Sequence, residues 1–323
     1  MTKVCILGLG LIGGSLLRDL QDKGVEVFGY NRTPSSVETA REEGYDVSSD
    51  LVDTLTRAET EGAFIVIATP MDSLAGLLET VHTHAPHCGF TDVVSVKGAV
   101  WRLVEKFGMQ ATYVGSHPMA GTADSGWSAT QTGLFQDAAW VVTYDYAASF
   151  DDVTAIPAAW IDHFKTVVHL ADTVGAEVVP ARADNHDMAV AKISHLPHVL
   201  AETLAIEGDR GGALTLSLAA GSYRDGTRVA GSSVNLVRNM LENNATALVE
   251  SLDQALEILH QVRDDLAAPD PSVGEFVGAG YTARVRFDAR HGMRPVIRVN
   301  VGQDGWGGQL EQAEALGARI LLF

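Results

Sequence analysis

Val4-Cys5-Ile6-Leu7-Gly8-Leu9-Gly10-Leu11-Ile12-Gly13-Gly14-Ser15 is the stretch on which the reading of this chain turns. Four apolar residues lead into three glycines spaced G-x-G-x-x-G, and small residues follow. An unbroken apolar run is what a strand covered on both faces requires. In a strand–turn–helix setting the first glycine permits the tight turn, the second lets backbone approach a pyrophosphate, and the third lets helix and strand pack closely. Amides at the helix start then face the phosphates. Gly8, Leu9, Gly10, Leu11, Ile12 and Gly13 are therefore expected to hold a dinucleotide; the plain alternative is a glycine-rich turn without a ligand.

Working outward, short apolar runs alternate with segments of helical period. Val4–Leu9, Val25–Tyr30, Phe64–Ala68, Val93–Val96 and Tyr113–Val114 read as strands, with helices starting near Gly13, Ser35, Met71 and Ala99. Trp140–Tyr144 reads as an added edge strand, Ala158–Val174 as a helix and Glu177–Val179 as one more strand. This is the pattern of a parallel sheet wrapped by helices, a Rossmann domain over residues 1–180. Residues 181–270 are rich in Ala and Leu at helical spacing and read as an all-helical domain. Beyond Pro271, Thr282–Asp288, Val296–Val301 and Arg319–Phe323 read as strands around a helix at Gly308–Leu316, giving a small α+β appendage over 271–323. The class is α/β, with a helical second domain.

The 323 residues are 46% hydrophobic and 20% charged, enough apolar matter for sizeable cores. Forty-one acidic side chains against 23 basic ones leave a net charge of −18, which argues against nucleic acid or an anionic membrane as partner. An anionic ligand must then be captured by local donors. Cys5 and Cys88 do not make a disulfide framework. The start runs directly into an apolar strand, and no stretch of about 18 apolar residues occurs, so a cytoplasmic protein is expected.

The cofactor's identity turns on the end of the second strand, Tyr30-Asn31-Arg32-Thr33. A carboxylate there would accept from the ribose 2′-hydroxyl of NAD and repel a 2′-phosphate. Arg32 instead pairs with a phosphate through a charge-assisted fork, with Asn31 and Thr33 as neutral donors, so NADP is expected, NAD remaining possible. Arg32 as a plain solvated loop residue is the alternative. Residues after the later strands face the ligand crevice as well: Thr69-Pro70, Ser95-Val96-Lys97-Gly98, and Gly115-Ser116-His117-Pro118-Met119-Ala120-Gly121. An imidazole at a strand end, as at His117, can take a proton from a hydroxyl whose carbon loses hydride.

With the glycine turn, the Ser95–Gly98 run and the Ser116–Gly121 run in this order, the chain resembles the prephenate/arogenate dehydrogenases of tyrosine biosynthesis. Ser194-His195-Leu196-Pro197-His198 resembles that family's helix start, and Arg224-Asp225-Gly226-Thr227-Arg228 its substrate-binding arginine segment. The resemblance covers about residues 3–265. It implies that His117 takes the ring hydroxyl proton and that Ser95 orients that hydroxyl. It also implies that Arg228 binds the side-chain carboxylate, that Arg224 adds positive potential, and that His198, with Ser194 and Thr227, lines the pocket. The implied reaction passes hydride to the nicotinamide while the ring carboxylate leaves as carbon dioxide, and aromatisation drives it.

Two departures stand out. Six positions beyond His117, where many prephenate-using relatives carry glutamate, this chain has Ala123 followed by Asp124. With the NADP-like loop, this tilts the expectation toward arogenate. The segment after Pro271 does not resemble a regulatory ACT domain. The competing readings are another two-domain reductase, such as a 3-hydroxyacid dehydrogenase or an imine reductase, and an NADP-sensing regulator without chemistry. Neither explains Ser95, His117, His198 and Arg228 in that order. Plain structural roles exist as well. His195 and His198 at i and i+3 can be a packing pair; they lack a third ligand, and no metal is expected. Arg224 and Arg228 can form a solvated face, and His82, His84 and His87 a solvated loop. The Ala- and Leu-rich helical half is expected to pair with a second copy, giving a homodimer.

Overall fold

The computed structural model describes residues 2–122, 124–290 and 292–323. Ala123 lies outside the described residues. The chain divides into two compact units, one of Met1–His186 with Val296–Phe323, the other of Asp187–Pro295.

The first unit opens with β1 (Val4–Leu7), α1 (Leu11–Asp22), β2 (Val27–Tyr30), α2 (Pro34–Glu42), β3 (Val47–Ser48), α3 (Leu51–Glu61), β4 (Phe64–Ile67), α4 (Leu74–His84), β5 (Phe90–Asp92) and α5 (Lys97–Lys106). These five strands form one parallel sheet in the order β3-β2-β1-β4-β5. Successive side chains of a strand point to opposite faces. Accordingly Val4, Ile6, Phe64 and Val66 join one core, while Cys5, Leu7, Ile65 and Ile67 join a second on the other face. Both faces are covered by helices, which is why β1 and β4 read as continuous apolar runs. The short β3 and the helix α3 carry no such run and are not evident in the sequence; α3 is started by Asp50, whose carboxylate accepts from the Asp53 amide at 3.0 Å.

A second sheet follows: β6 (Ser116–Pro118), β7 (Ala139–Thr143), the single turn α6 (Asp145–Ala148), α7 (Ala158–Thr173) and β8 (Glu177–Ala181). Here the structure corrects the sequence reading in three places. The strand expected at Val93–Val96 lies at Phe90–Asp92, because its ladder is set by pairing Ile65 with Phe90 rather than by β-branching. Tyr113–Val114 makes only an isolated bridge with Phe90, and the strand that follows is β6 itself, so His117 stands within a strand. Trp140–Tyr144 is not an edge: β7 is central, antiparallel to β6 and parallel to β8. Pro180 sits in β8, an edge strand of this sheet, where its missing donor is tolerated.

Helix α8 (Ala183–Val190) begins in the first unit and continues into the second, where a π-helical stretch, Ala191–His195, leads into α9 (Leu196–Arg210). The Leu196 amide reaches back five residues to the Ala191 carbonyl. Pro197, having no amide, cannot supply the usual bond four residues back, and the widened turn accommodates this. Then come α10 (Gly212–Ser217), α11 (Gly221–Thr227), α12 (Val234–Asn243), α13 (Ala245–Ala267) and α14 (Gly274–Arg290). The strand expected at Thr282–Asp288 is helical, lying wholly inside α14. The His82, His84 and His87 group is likewise not all loop, since His82 and His84 end α4 and His87 bonds Glu59 at 2.5 Å. None of the described helices is long and apolar enough to cross a membrane.

The chain closes with β9 (Val296–Val299), α15 (Trp306–Leu316) and β10 (Arg319–Leu322), β9 and β10 being parallel. Val299, Trp306, Leu310, Ala313 and Ile320 join the same core as Trp140, Trp160 and Phe164. This piece is thus bound into the first unit by a shared apolar interior.

In that unit the half-buried His163 on α7 packs against Gly89 and tilts on Phe64. Burial holds its imidazole below the ordinary value of 6.5. In the unfolded chain it takes a proton as pH falls through 6.5, while in the fold it stays neutral to lower pH. Stability is therefore expected to decline as pH drops from about 7 toward 5. Urea unfolding of His163→Gln across that range should show a shallower decline than the parent; an identical pH dependence would exclude this histidine as a source.

Candidate functional site

The glycine turn is built as its spacing demands. Gly8 has φ +102°, and a Cβ there would stand 2.8 Å from the Ala68 carbonyl oxygen. Its amide donates to the Tyr30 carbonyl at 2.8 Å, which ties the turn to β2. A Cβ on Gly13 would lie 2.0 Å from the Gly8 carbonyl oxygen, and one on Gly14 2.3 Å from Thr130, so both let α1 close on its neighbours. At Gly10 a Cβ would meet nothing within 4 Å, leaving open space beside the backbone. No side chain caps α1, whose first amides have no intrahelical acceptor. Leu9 and Leu11 are buried, so these positions offer a ligand backbone rather than side chain.

Around this turn, Asn31 Oδ1 accepts from the Leu9 amide at 3.4 Å and the Asn31 amide donates to Ser48. Arg32 and Thr33 are exposed, and Thr33 precedes α2 with Pro34 at its first position. Thr69 Oγ1 is buried with no hydrogen-bond partner among the described residues, and Thr69 lies against Gly8. Pro70 opens a short 3-10 turn. A cradle that side chains would fill, uncapped helix amides and an orphaned hydroxyl together fit a dinucleotide's phosphates and ribose.

The second part of the first unit's site is organised by a buried ion pair. Asp92, at the end of β5, and Lys97, at the start of α5, pair directly with both side chains buried. Asp92 also accepts from Tyr113 OH at 2.6 Å and from the Val94 amide at 2.8 Å, while Lys97 Nζ donates to the Ser116 carbonyl at 2.6 Å. Ser116 Oγ donates to the Asp92 carbonyl at 2.8 Å and Thr91 Oγ1 to Ser116 Oγ at 3.0 Å. Two consequences follow. The loop that carries Ser95, half-buried, is closed at both ends by this pair. β6, which carries His117, is hung on the same pair through Ser116.

His117 is half-buried, and its Nδ1 lies 2.9 Å from Nε2 of His186, the rings meeting edge-on at 75°. His186, Asp92, Lys97 and Tyr113 had no assigned role in the sequence. A usable signal was present all the same: an acid and a lysine five positions apart across a strand–helix junction, in otherwise apolar surroundings, ask for each other.

The remaining expected residues belong to the second unit. Ser194 and His195 occupy the π-helical stretch; Ser194 Oγ lies 3.9 Å from Met240 Sδ. His195 is buried, its Nδ1 3.0 Å from the side-chain amide of Asn244, which also donates to the Asp187 carbonyl at 2.8 Å. His198 Nδ1 is buried without a hydrogen-bond partner among the described residues. Burial lowers the His198 imidazole below its ordinary value; Glu202 opposes this and Arg228 adds to it. His198 and Arg228 are thus electrostatic neighbours. Arg224, exposed, lies 3.4 Å from Asp225, and Thr227 donates to the Tyr223 carbonyl at 2.7 Å. Arg228 begins a 3-10 turn directly after α11 and is exposed.

Comparison with known proteins accounts for both units. Residues 16–169 match a model described as prephenate dehydrogenase, nucleotide-binding domain, and residues 182–273 one described as prephenate dehydrogenase, dimerization domain. The solved structure of a Corynebacterium glutamicum protein, described only provisionally as a prephenate dehydrogenase, is 57% identical, with TM-score 0.96 over 100% of this chain and 99% of that one. The chain belongs to the prephenate dehydrogenase family. Its Synechocystis relative, an arogenate dehydrogenase, is 27% identical with TM-score 0.73, over 88% of this chain and 100% of that one. A Zymomonas mobilis cyclohexadienyl dehydrogenase is 28% identical over 90% of this chain and 98% of its own length. The first nucleotide-binding match begins just after the glycine turn, so the geometry of Gly8–Gly13 supports nucleotide binding independently of it.

If the Asp92–Lys97 pair organises this family member's site, removing one partner strands a buried charge. Asp92→Ala is expected to cost about 3–5 kcal/mol, seen as a lower urea midpoint, whereas Asp92→Leu with Lys97→Met should recover most of it. Equal losses in single and double variants would contradict this assignment.

Proposed function

We propose that the chain catalyses the oxidative decarboxylation of a cyclohexadienyl acid, arogenate in preference to prephenate, using NADP+ in preference to NAD+. The observation that carries this reading is His117: a half-buried imidazole on a strand hung from a buried ion pair, with one ring nitrogen engaged by a second histidine. Family membership, and relatives named arogenate and cyclohexadienyl dehydrogenase, support the substrate class.

In this reading the ring hydroxyl donates its proton to His117 Nε2 as the carbon bearing it loses hydride, and Ser95 orients that hydroxyl. The bond to the ring carboxylate breaks in the same step, releasing carbon dioxide, and the ring becomes aromatic. When bound, the nicotinamide supplies the hydride acceptor. Gly8 through Gly13, Asn31, Thr69 and Pro70 hold the dinucleotide, largely through backbone. Arg228 takes the side-chain carboxylate, with Arg224 adding positive potential and Ser194, His198 and Thr227 lining the substrate. An acidic chain can hold such an anion because charge acts over short range where water is excluded.

The cofactor preference rests on Arg32. It is exposed at the end of β2, has no ion-pair partner among the described residues, and no acid accompanies it in Asn31-Arg32-Thr33. Absorbance at 340 nm with each acid and each cofactor tests both specificities. Arogenate with NADP+ should give the highest kcat/KM, and Arg32→Ala should raise KM for NADP+ by about 10- to 100-fold with little change for NAD+. No turnover in any of the four combinations would refute the reading.

Homodimerisation follows from the second unit. Leu214, Leu218, Val234, Phe276, Val277, Tyr281 and Phe287 are exposed there, more apolar side chain than a monomer usually leaves in water. The matched model's description as a dimerization domain supports a second copy as the cover. Light scattering at micromolar concentration should return twice the chain mass, and Val234→Asp with Leu236→Asp should return the monomer mass; a monomeric parent would refute it.

A further inference from the structure

The residue that faces His117 is itself held with care. His186 is nearly fully buried, on the first turn of α8, and its amide bonds the Arg182 carbonyl at 2.9 Å. That turn is anchored twice. Asp145 accepts the Ala183 amide on both carboxylate oxygens, at 3.1 and 3.0 Å, and Arg182 Nε at 3.2 Å. Glu314, on α15 of the C-terminal piece, accepts the Arg182 amide at 2.8 Å and Asn185 Nδ2 at 2.9 Å, and is bonded by Tyr144 OH.

We infer that His186 is a positioning residue for His117, fixing its tautomer, and that the C-terminal segment acts on the site through Glu314. The inference rests on the functional reading above and extends it. Two ring nitrogens 2.9 Å apart share one proton, one donating and one accepting. For His117 to receive a proton on Nε2, its Nδ1 must carry hydrogen, and His186 Nε2 must be the acceptor with its own hydrogen on Nδ1. As the substrate's O–H bond breaks and its proton bonds to Nε2, His117 becomes an imidazolium and its Nδ1–H a charged donor. The bond to His186 then strengthens where positive charge develops. A carboxylate performs this office in serine hydrolases; here a neutral imidazole does so, which adds no negative charge next to an anionic substrate.

The test compares His186→Phe, which fills the space without an acceptor, with His186→Gln, whose amide oxygen reaches the position of Nε2. His186→Phe should lower kcat about tenfold with KM nearly unchanged, and His186→Gln should restore most of it. Nitrogen-15 NMR of the histidine rings above neutral pH should show His117 as the Nδ1–H tautomer in the parent and in His186→Gln, shifted toward Nε2–H in His186→Phe. Glu314→Ala should lower kcat in the parent and add nothing in His186→Phe. Equal kcat loss in both His186 variants with an unmoved His117 tautomer would mean a merely structural role and overturn the proposal. So would unchanged kcat in His186→Phe. Should the parent oxidise neither acid, the functional reading fails while the tautomer spectra still decide this one.

Discussion

The strand that carries His117 and the loop that carries Ser95 hang on the pairing of Asp92 with Lys97. A carboxylate and an ammonium withdrawn from water are tolerable only if each finds partners for its remaining hydrogen-bonding capacity, and here both do. Asp92 takes Tyr113 and the Val94 amide; Lys97 takes the Ser116 carbonyl. Asp92 ends a strand of the parallel sheet and Ser116 begins a strand of the other, so the pair joins the end of the parallel sheet to the start of the antiparallel strand. An apolar contact in its place would hold the sheets together without setting the angle of β6. Directional bonds set it, and with it the direction of His117.

The glycine turn and the ion pair divide the work in a way their physics explains. The turn offers backbone: amides, a left-handed residue and open space where a side chain would have stood. Backbone recognises phosphate without regard to what else the ligand carries, which suits a cofactor shared by many enzymes. The ion-paired side of the unit offers side chains at fixed angles, which suits one substrate. In the second unit Arg224 and Arg228 are both exposed, but Arg224 lies beside Asp225 while Arg228 is an electrostatic neighbour of the half-buried His198.

The C-terminal piece has a clearer place than its sequence suggested. Its Trp306, Leu310 and Ile320 complete the core begun by Trp140 and Trp160, and its Glu314 accepts bonds from the turn that leads into α8. A glutamate in an ordinary amphipathic helix gives no hint of such a role, because its partners are the Arg182 amide and Asn185, some 130 residues earlier in the chain.

What the sequence alone determined was whatever depends on neighbours in the chain. The glycine spacing specified the strand, turn and helix, since φ and local sterics are properties of the residues themselves. The apolar runs of β1 and β4 disclosed a sheet covered on both faces, and the motifs from Ser95 to Arg228 disclosed the family. Tertiary structure alone decided what depends on partners distant in sequence. Ladder pairing with Ile65 moved the fifth strand from Val93–Val96 to Phe90–Asp92, and pairing with β7 made His117 part of a strand. Thr282–Asp288, β-branched and aromatic enough to read as a strand, found no ladder to join and stayed in α14. The meeting of His117 with His186, and of Asp92 with Lys97, Tyr113 and Ser116, belongs to this second class. A hydrogen bond's geometry exists only once both of its ends have been placed, and folding places them.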